Sequence, residues 1–551
     1  MLLGIDVGGT HTDAVLIGDR GIESTFKAKT DTRNLLHTVT TALKEVTSGI
    51  DVKKITNINL STTLSTNAII ENKLEKTGLF ISSGPGIDPE NFKIGKNTYI
   101  INGSINHRGS EILKLDSASL ETGIKTCIKE GIKVFAAVTK FSTRNSIQET
   151  AIAESLKGHA DFTTEGHNLS SQLSFPRRAA TAYYNSAVWR IYSNFLFAIT
   201  EALKEMGIDA PVNILKADGG TMPAEVSKNI PVESILSGPA ASIMGIIALS
   251  KITEDSVILD IGGTTTDIAV FASGAPLMER DGISLEGIPT LVRSLQNRSI
   301  GIGGDSAITV VNGKVKTGPE RKGSSVADGG EYPTLVDAMS FAGIIDYPNK
   351  EKSIEAVKQL AEKNGLKPGV LADNAITYSV KKINDEISRL LLEINQKPVY
   401  TIHEMIEGKK IVPKKTYIIG GPAAALAKVM KGDTEIIVPE NYSVANAIGA
   451  ALARTTFETE LFSDTGKEKM IIPNLGVEEK VSRRYSLSEA EKDVISYTRK
   501  YLGKSGYNDK NLNIDIVEST SFRMIDDYYA SGNDIRVKCQ IRPGVIMNLH
   551  K

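Results

Sequence analysis

The sequence predicts a duplicated α/β protein, two α/β domains flanking a cleft, followed by a small C-terminal α+β unit. Three observations carry that expectation. Strand-type and helix-type apolar patterns alternate from residue 2 to about 456, as they do in layered α/β domains. One octapeptide occurs twice, as Asp-Val-Gly-Gly-Thr-His-Thr-Asp at 6–13 and Asp-Ile-Gly-Gly-Thr-Thr-Thr-Asp at 260–267, with six of its eight positions identical. Beyond Thr456 the composition changes, and Lys467, Glu468, Lys469, Glu478, Glu479, Lys480, Arg483 and Arg484 crowd together as a solvated face. The expected domains are 1–176, 177–456 and 457–551, in keeping with 551 residues at roughly 150 per domain.

The elements follow in chain order. Leu3, Ile5 and Val7 form one strand, Gly8-Gly9 turns the chain, and Ala14–Ile17 forms a second strand before the turn at 18–21. Helical spacing spans 35–46, a strand 55–60 and a helix 66–74. A strand at 133–138 and a helix at 146–156 continue the alternation. A long helix is expected over 175–206, with Trp189, Ile191, Tyr192, Phe195 and Leu196 facing a core, and it marks the domain boundary. A new cycle starts at Val212, and a second hairpin at Val257. Glycine turns follow at 301–304 and 420–421, then a helix over 488–501 and strands about a Ser531-Gly532-Asn533-Asp534 turn.

Composition removes several classes of function. With 64 basic and 65 acidic residues the formal charge is −1, so there is no basic excess to hold a nucleic acid. The two cysteines, Cys127 and Cys539, cannot build a zinc ribbon, a CxxC pair or a disulfide scaffold. The apolar stretch 238–249 is too short for a membrane span, and no basic, apolar leader precedes Asp6, so a cytoplasmic location is expected. Gly503-Lys504-Ser505 lacks the glycine that a P-loop needs at 498. Gly301–Ser306 ends in serine where the dinucleotide fingerprint needs glycine. His159, Asp161, Glu165 and His167 read as a polar surface loop rather than a metal cluster.

The repeated octapeptide carries chemistry. Gly8-Gly9 and Gly262-Gly263 have no Cβ, so a phosphate chain can approach the backbone and be cradled by N–H groups. Thr10, Thr12, Thr264 and Thr266 add hydroxyl donors at the two turns. Asp6 and Asp260 would repel phosphate unless Mg²⁺, with its water shell, lies between; a carboxylate there can also orient or deprotonate water. Asp13 and Asp267 are open to two roles, bonding the turn backbone or touching metal.

These hairpins resemble the two phosphate motifs of the actin, hexokinase and heat-shock chaperone superfamily, in which two ribonuclease-H-like domains close on ATP. That resemblance implies an adenosine motif, matched by Thr416–Pro422 with Gly420 and Gly421, and two small-residue helices crossing at a hinge, matched by Gly238–Ser242 onward and Ala445–Ala451. The finer pattern resembles the hydantoinase A and 5-oxoprolinase family, which includes nucleotide-binding subunits of acetone-type carboxylases. Its carriers include Ser61–Glu71, Asp218-Gly219-Gly220, Leu236–Ala241 and Ile300–Ser306.

The resemblance implies an enzyme that spends ATP, with Mg²⁺, on opening a small cyclic amide or imide of hydantoin or 5-oxoproline type. By the same resemblance Thr62, Thr63, Thr66 and Asn67 lie at the cleft, Thr63 and Asn67 being the substrate candidates, while Thr66 reads equally as a helix cap. Gly303, Gly304 and Ser306 belong either to the nucleotide site or to a plain turn. Two other functions fit the motifs: the nucleotide subunit of an acetone-type carboxylase, and an ATP-driven activator of another enzyme. His11 stands where the family has an aromatic residue, the family's Pro-Gly-Pro-Cys stretch is absent after Gly318-Pro319, and the chain is shorter than most members. Implied partners are a cyclic amide substrate, a separate large hydantoinase B-like subunit and a second copy in a homo-oligomer, without nucleic acid or membrane.

Overall fold

In the computed structural model the described residues are 1–31, 34–279, 281–396, 410–507, 512–526 and 529–550. The chain opens with β1 (Leu2–Val7), β2 (His11–Gly18) and β3 (Gly21–Lys29), an antiparallel meander, followed by α1 (Leu35–Val46). β4 (Asn57–Thr62) pairs parallel to β1 and leads into α2 (Leu64–Ile70). An inserted parallel sheet follows, β5 (Thr77–Ser82), β6 (Thr98–Ile100), β7 (Val134–Thr139) and β8 (Phe162–Glu165), in the order β8-β7-β5-β6. Its helices are α3 (Ser117–Lys129) and α4 (Ile147–Leu156). The all-apolar Val134–Val138 run is what a strand covered on both faces requires.

The expected long helix is α5 (Phe175–Glu205), 31 residues. It joins two layers rather than separating two domains. Its first half packs Ala179, Ala180 and Ala182 on the inserted sheet, and Tyr192, Phe195 and Ile199 pack with α1 in the core under β1. Trp189 is half-buried and stacks on Phe162 at 5.0 Å. After it, β9 (Val212–Leu215) and β10 (Thr221–Pro223) return to the first sheet, giving β10-β9-β4-β1-β2-β3. The first sheet therefore draws on residues well past 176.

The second domain repeats this order. α6 (Ser237–Leu249) leads to β11 (Ser256–Ile261) and β12 (Thr266–Ala272), with β13 (Ala275–Pro276) and β14 (Asn297–Ile300) beside β12. A hairpin, β15 (Ser306–Val311) and β16 (Lys314–Arg321), and three helices, α7 (Leu335–Phe341), α8 (Lys350–Lys363) and α9 (Pro368–Gln396), intervene. β17 (Lys415–Ile419) then pairs parallel to β11, followed by α10 (Ala423–Val429), β18 (Glu435–Ile437) and α11 (Ala445–Leu452). Asp6 pairs across its hairpin with Asp13, as Asp260 does with Asp267.

The final unit comprises β19 (Phe457–Asp464), β20 (Lys469–Ile472), β21 (Val477–Lys480), α12 (Leu487–Lys504), β22 (Asp515–Asp526) and β23 (Tyr529–Ile541), in the order β21-β20-β19-β23-β22. It has no core of its own: Leu461, Val494, Ile535 and Val537 join Leu3, Ile5 and Val39 in one cluster. Residues 531–534 lie inside β23 instead of forming a turn; Gly532 pairs with Met524 and admits the backbone of Gly466. Gly503-Lys504 end α12, where helix carbonyls rather than N–H groups are free, so this segment cannot cradle phosphate. No helix among the described residues is long and apolar enough to cross a membrane.

α6 and α11 cross at backbone contact between the domains. A methyl group at Gly449 would stand 1.9 Å from the Ala241 carbonyl oxygen, and one at Gly245 would stand 2.1 Å from that of Ala445. Gly449→Val should therefore destabilise the fold by at least about 3 kcal/mol in urea denaturation. Gly503→Ala, where added atoms meet nothing within 4 Å, should leave stability unchanged or raise it.

Candidate functional site

Both octapeptide turns close with the same hydrogen bond, from the Gly8 N–H to the His11 carbonyl and from the Gly262 N–H to the Thr265 carbonyl, each 2.9 Å. The turns face one another: a methyl at Gly263 would lie 3.8 Å from the Thr10 methyl. Asp6 and Asp260, at the ends of β1 and β11, share one donor. The Asn446 Nδ2 amide, from α11, lies 3.4 Å from an oxygen of each carboxylate. Ser61 donates to the other oxygen of Asp6, and Ser242 donates to Asp260. Asp6 is 5% exposed, and Asp260 is half-buried.

Burial dominates the electrostatics. It pushes the Asp6 carboxyl up to about 6, against the Ser61 hydrogen bond that favours the ionised form, and Asp13 and Asp260 push it the same way. Asp260 is raised by burial despite Ser242 and Asn446. Burial and the neighbouring Asp260 raise Asp267 to about 7. Burial, with Lys27 close by, lowers the His11 imidazole to about 4, so it is neutral at pH 7 beside Thr10.

Of the residues expected at the site, Gly8, Gly9, Thr10, Gly262, Gly263 and Thr264 form the facing turns, with Asp6 and Asp260 behind them. Thr12 and Thr266 do not present their hydroxyls there. Strand alternation puts both on the face opposite Asp13 and Asp267. Thr12, fully buried, pairs with the Thr30 hydroxyl at 2.9 Å, and Thr266 donates to the Ile302 carbonyl at 2.6 Å. Asp13 forms an ion pair with Lys27 at 2.8 Å, neither of the two roles expected of it.

Gly303 and Gly304 back the second turn. Gly304 N–H bonds the Gly262 carbonyl, Asp305 N–H bonds that of Gly263, and Ser306 accepts from the Gly303 N–H. A methyl at Gly303 would meet the Gly263 carbonyl carbon at 2.6 Å. Gly420, at φ +95°, lies against Asp260, where a methyl would stand 2.8 Å from Oδ1; beside Gly421 there is open space. Asn67 adjoins Gly9, with 3.0 Å between its Nδ2 and a methyl placed there, and reaches the Thr63 hydroxyl at 3.4 Å. Thr66 does not cap its own helix. Its hydroxyl accepts the N–H of Leu236, which sits at φ +62° at the start of α6.

Ser61, Ser242 and Asn446 lie in segments that the sequence singles out, but their hydrogen bonds to Asp6 and Asp260 do not follow from those motifs. Asn446 had one signal, being the only polar side chain in the otherwise small and apolar Ala445–Leu452 helix. Lys27 and Lys29 reach across the cleft to the Ser443 and Asp328 carbonyls, at 3.1 and 3.0 Å. The donor set fits Mg²⁺ held with nucleotide phosphates. Asp6, buried, and Asp260, half-buried, form no ion pair among the described residues and face two glycine turns, and Mg²⁺ usually takes one or two carboxylates, with phosphate and water as its other ligands. No group of three or more His, Cys, Asp or Glu among the described residues could hold a metal unaided. Asp161 pairs instead with Arg190 at 2.6 Å, and His167 with Glu149 at 2.7 Å.

A hydantoinase/oxoprolinase family model matches residues 178–459, and a model of the hydantoinase/oxoprolinase N-terminal region matches residues 2–160. The chain is 26% identical over 512 residues to the caprolactamase subunit alpha of Pseudomonas jessenii, covering 83% of this chain and 70% of that one. The solved nucleotide-free structure of an acetone carboxylase superposes with a TM-score of 0.73 at 17% identity, covering 99% of this chain and 88% of that one. The ATP-dependent caprolactamase of Pseudomonas jessenii superposes with a TM-score of 0.66 at 20% identity, covering 98% and 87%. At these identities the structural likeness is one of fold, two α/β domains about a cleft.

A carboxyl raised on folding stabilises the fold while protonated, and that contribution is lost as pH climbs through its folded value. Nucleotide-free protein should therefore lose stability between about pH 4 and 7, where Asp6 ionises in a buried site. Asp6→Asn should melt higher than the parent at pH 8, by on the order of 1–3 kcal/mol, with the gap closing below pH 4. Thermal melts across this range check the sign.

Proposed function

The chain belongs to the hydantoinase/oxoprolinase family, and from that premise we propose that it is an ATP- and Mg²⁺-dependent hydrolase opening a small cyclic amide or imide. The observation that carries this reading is the pair Asp6 and Asp260, one from each domain, joined through Asn446 between two facing glycine turns. An amide resists water because its nitrogen lone pair is delocalised into the carbonyl. In the proposed reaction the ring carbonyl oxygen attacks the γ-phosphorus of ATP and ADP departs. Water adds to the activated carbon, the C–N bond breaks with nitrogen leaving as amine, and a second water hydrolyses the acyl phosphate to acid and phosphate.

The chain's residues divide this work. The Gly8-Gly9 and Gly262-Gly263 turns, with Thr10 and Thr264, cradle the phosphates from both sides. Gly303 and Gly304 fix the second turn, and Gly420-Gly421 leave room for the adenosine. A carboxylate at this place would hold the metal directly or orient a water beside the phosphates. Bound Mg²⁺ supplies charge neutralisation at the phosphates, with Asp6 and Asp260 as its carboxylate partners. Asn67, beside Gly9, and Thr63, which accepts from it, would contact the ring substrate. The subunit designation of the caprolactamase relative favours a second, separate polypeptide as partner. A nucleotide-subunit role in carboxylation is the second reading, favoured by the full-length superposition on acetone carboxylase.

Phosphate release from ATP, measured across lactams, hydantoins, 5-oxoproline and ketones with bicarbonate, separates the two readings. Stimulation by a cyclic amide supports the hydrolase, and stimulation only by a ketone with bicarbonate supports the carboxylase. Asp260→Asn should lower the stimulated rate at least about 100-fold while the fold is kept; near-parental turnover would sink the metal–phosphate assignment. Co-expression with a hydantoinase B-like subunit should raise the rate if the chemistry needs both chains.

A further inference from the structure

The cleft carries a second charged layer, on the β3 side of the glycine turns. β2 and β3 pair with His11 opposite Lys29 and Asp13 opposite Lys27, so these four side chains share one face. That face meets the second domain, where Lys27 reaches the Ser443 carbonyl and Lys29 the Asp328 carbonyl, at 3.1 and 3.0 Å. From the other side comes Arg321, the last residue of β16, which stands opposite Ser306 in its hairpin and bonds Asp305 at 3.3 Å. Burial, then Lys27, with Lys29 and Arg321 behind it, lowers the His11 imidazole, and Asp328 opposes them. The three cations therefore converge on one ring from both domains. That ring adjoins the first glycine turn, with the Thr10 hydroxyl 3.3 Å from His11 Nδ1.

Asp305 fixes what this layer faces. Its N–H bonds the Gly263 carbonyl at 2.6 Å. A methyl at Gly263 would stand 2.8 Å from Asp305 Oδ2 and 3.8 Å from the Thr10 methyl, so the Asp305 carboxylate borders the gap between the two turns. An anion entering that gap is repelled by Asp305 unless a cation stands beside it. Arg321 is that cation, and its bonding capacity is mostly unspent. Its side chain is 33% exposed, and it gives Asp305 one hydrogen bond to one oxygen, where a guanidinium can grip a carboxylate or a phosphate with two. Lys27 is committed to Asp13 at 2.8 Å. Lys29 bonds only a neutral carbonyl and has no ion pair among the described residues.

We propose that Arg321 and Lys29 clamp the phosphate chain of the nucleotide, one cation from each domain, with Arg321 binding phosphate oxygen directly through the N–H groups that Asp305 leaves free. The clamp rests on the reading of the two glycine turns as a nucleotide site, and it adds two ligands that lie outside the repeated octapeptide. Neither has far to move. Lys29 is already bonded across the cleft, and Arg321 is held by Asp305 at the edge of the second turn. A bound phosphate chain gives both cations a common counter-ion, so each domain contributes a charge-assisted bond to the same anion. Asp305 then acts as a positioning residue, which keeps the guanidinium beside Gly263 until the nucleotide arrives.

The test is calorimetric titration of the purified full chain with ADP and Mg²⁺, without ring substrate. Arg321→Ala and Lys29→Ala should each weaken ADP by about tenfold or more, and added salt should weaken ADP less in the double variant than in the parent. Melting temperatures of the nucleotide-free variants report folding separately, and Arg321→Lys, which keeps the charge but loses the fork, should retain part of the affinity. Arg321→Ala combined with Asp305→Asn should still bind ADP more weakly than the parent, because the direct bonds are gone. Full recovery in that pair would mean that Arg321 only neutralises Asp305, and it would overturn the clamp. So would ADP affinity within about twofold of the parent in either single variant. Unchanged ADP binding in the variants, together with cyclic-amide-stimulated phosphate release, removes the clamp and leaves the hydrolase reading standing. ADP binding lost in both variants, with no cyclic amide stimulating phosphate release, upholds the clamp and removes the hydrolase reading. Failure of the parent to bind ADP overturns both.

Discussion

The backbone contact between α6 and α11 is the constraint on which the rest depends. Asn446 reaches a carboxylate from each domain only because its helix lies against α6 with no side chains between them. Gly245 and Gly449 are required on both sides of that crossing, where any Cβ would enter a carbonyl oxygen. Gly4, in the middle of β1, extends the same logic: a methyl there would stand 2.2 Å from the Ala447 carbonyl oxygen. One helix is thus seated on the first sheet and on α6 together. Asp6, Asp260 and the two turns inherit their spacing from that seat.

Much of this was legible in the sequence because it is carried by backbone chemistry, which few residue types can supply. Two copies of an Asp-x-Gly-Gly-Thr turn between apolar runs define two hairpins, two facing loops and two carboxylates without knowledge of packing. The small residues of Gly238–Ser242 and Ala445–Ala451 announced close helix contact for the same reason. What stayed hidden depends on which way a side chain points or on partners distant in sequence. Thr12 and Thr266 share the motif with Thr10 and Thr264, yet pleating turns them into the core, where Thr30 and the Ile302 carbonyl take their hydroxyls. Asn446 looks like one polar residue in a hinge helix until Asp6 and Asp260 converge on it.

The first sheet extends past residue 176 for a related reason. A 31-residue helix resembles a boundary, but α5 is amphipathic toward two different layers, and the strands after it return to the first sheet. Pairing of β9 with β4, across the whole inserted sheet and α5, is a non-local contact that no local pattern encodes. The C-terminal unit is similar: its apolar positions were visible, whereas their merger with Leu3 and Ile5 into one core was not. That merger is structurally consequential, since it holds β19 and β23 against the first domain.

The near-neutral net charge of the chain conceals two opposite local solutions to burying charge. At the glycine turns Asp6 and Asp260 form no ion pair among the described residues, and burial suppresses their ionisation; this arrangement costs stability until a cation arrives, and it suits a site filled by a metal and an anionic nucleotide. At Asp218 the cations are supplied by the chain itself: Lys216 and Arg293, 3.2 and 3.1 Å away, hold its carboxyl down to about 2 against burial. The first site depends on its ligand for charge balance, and the second carries its own cations. Both lie at the carboxyl edge of one sheet, Asp6 near the end of β1 and Lys216 just after β9. Lys27 and Lys29, bonded across the cleft to carbonyls of the second domain, already hold that edge closed.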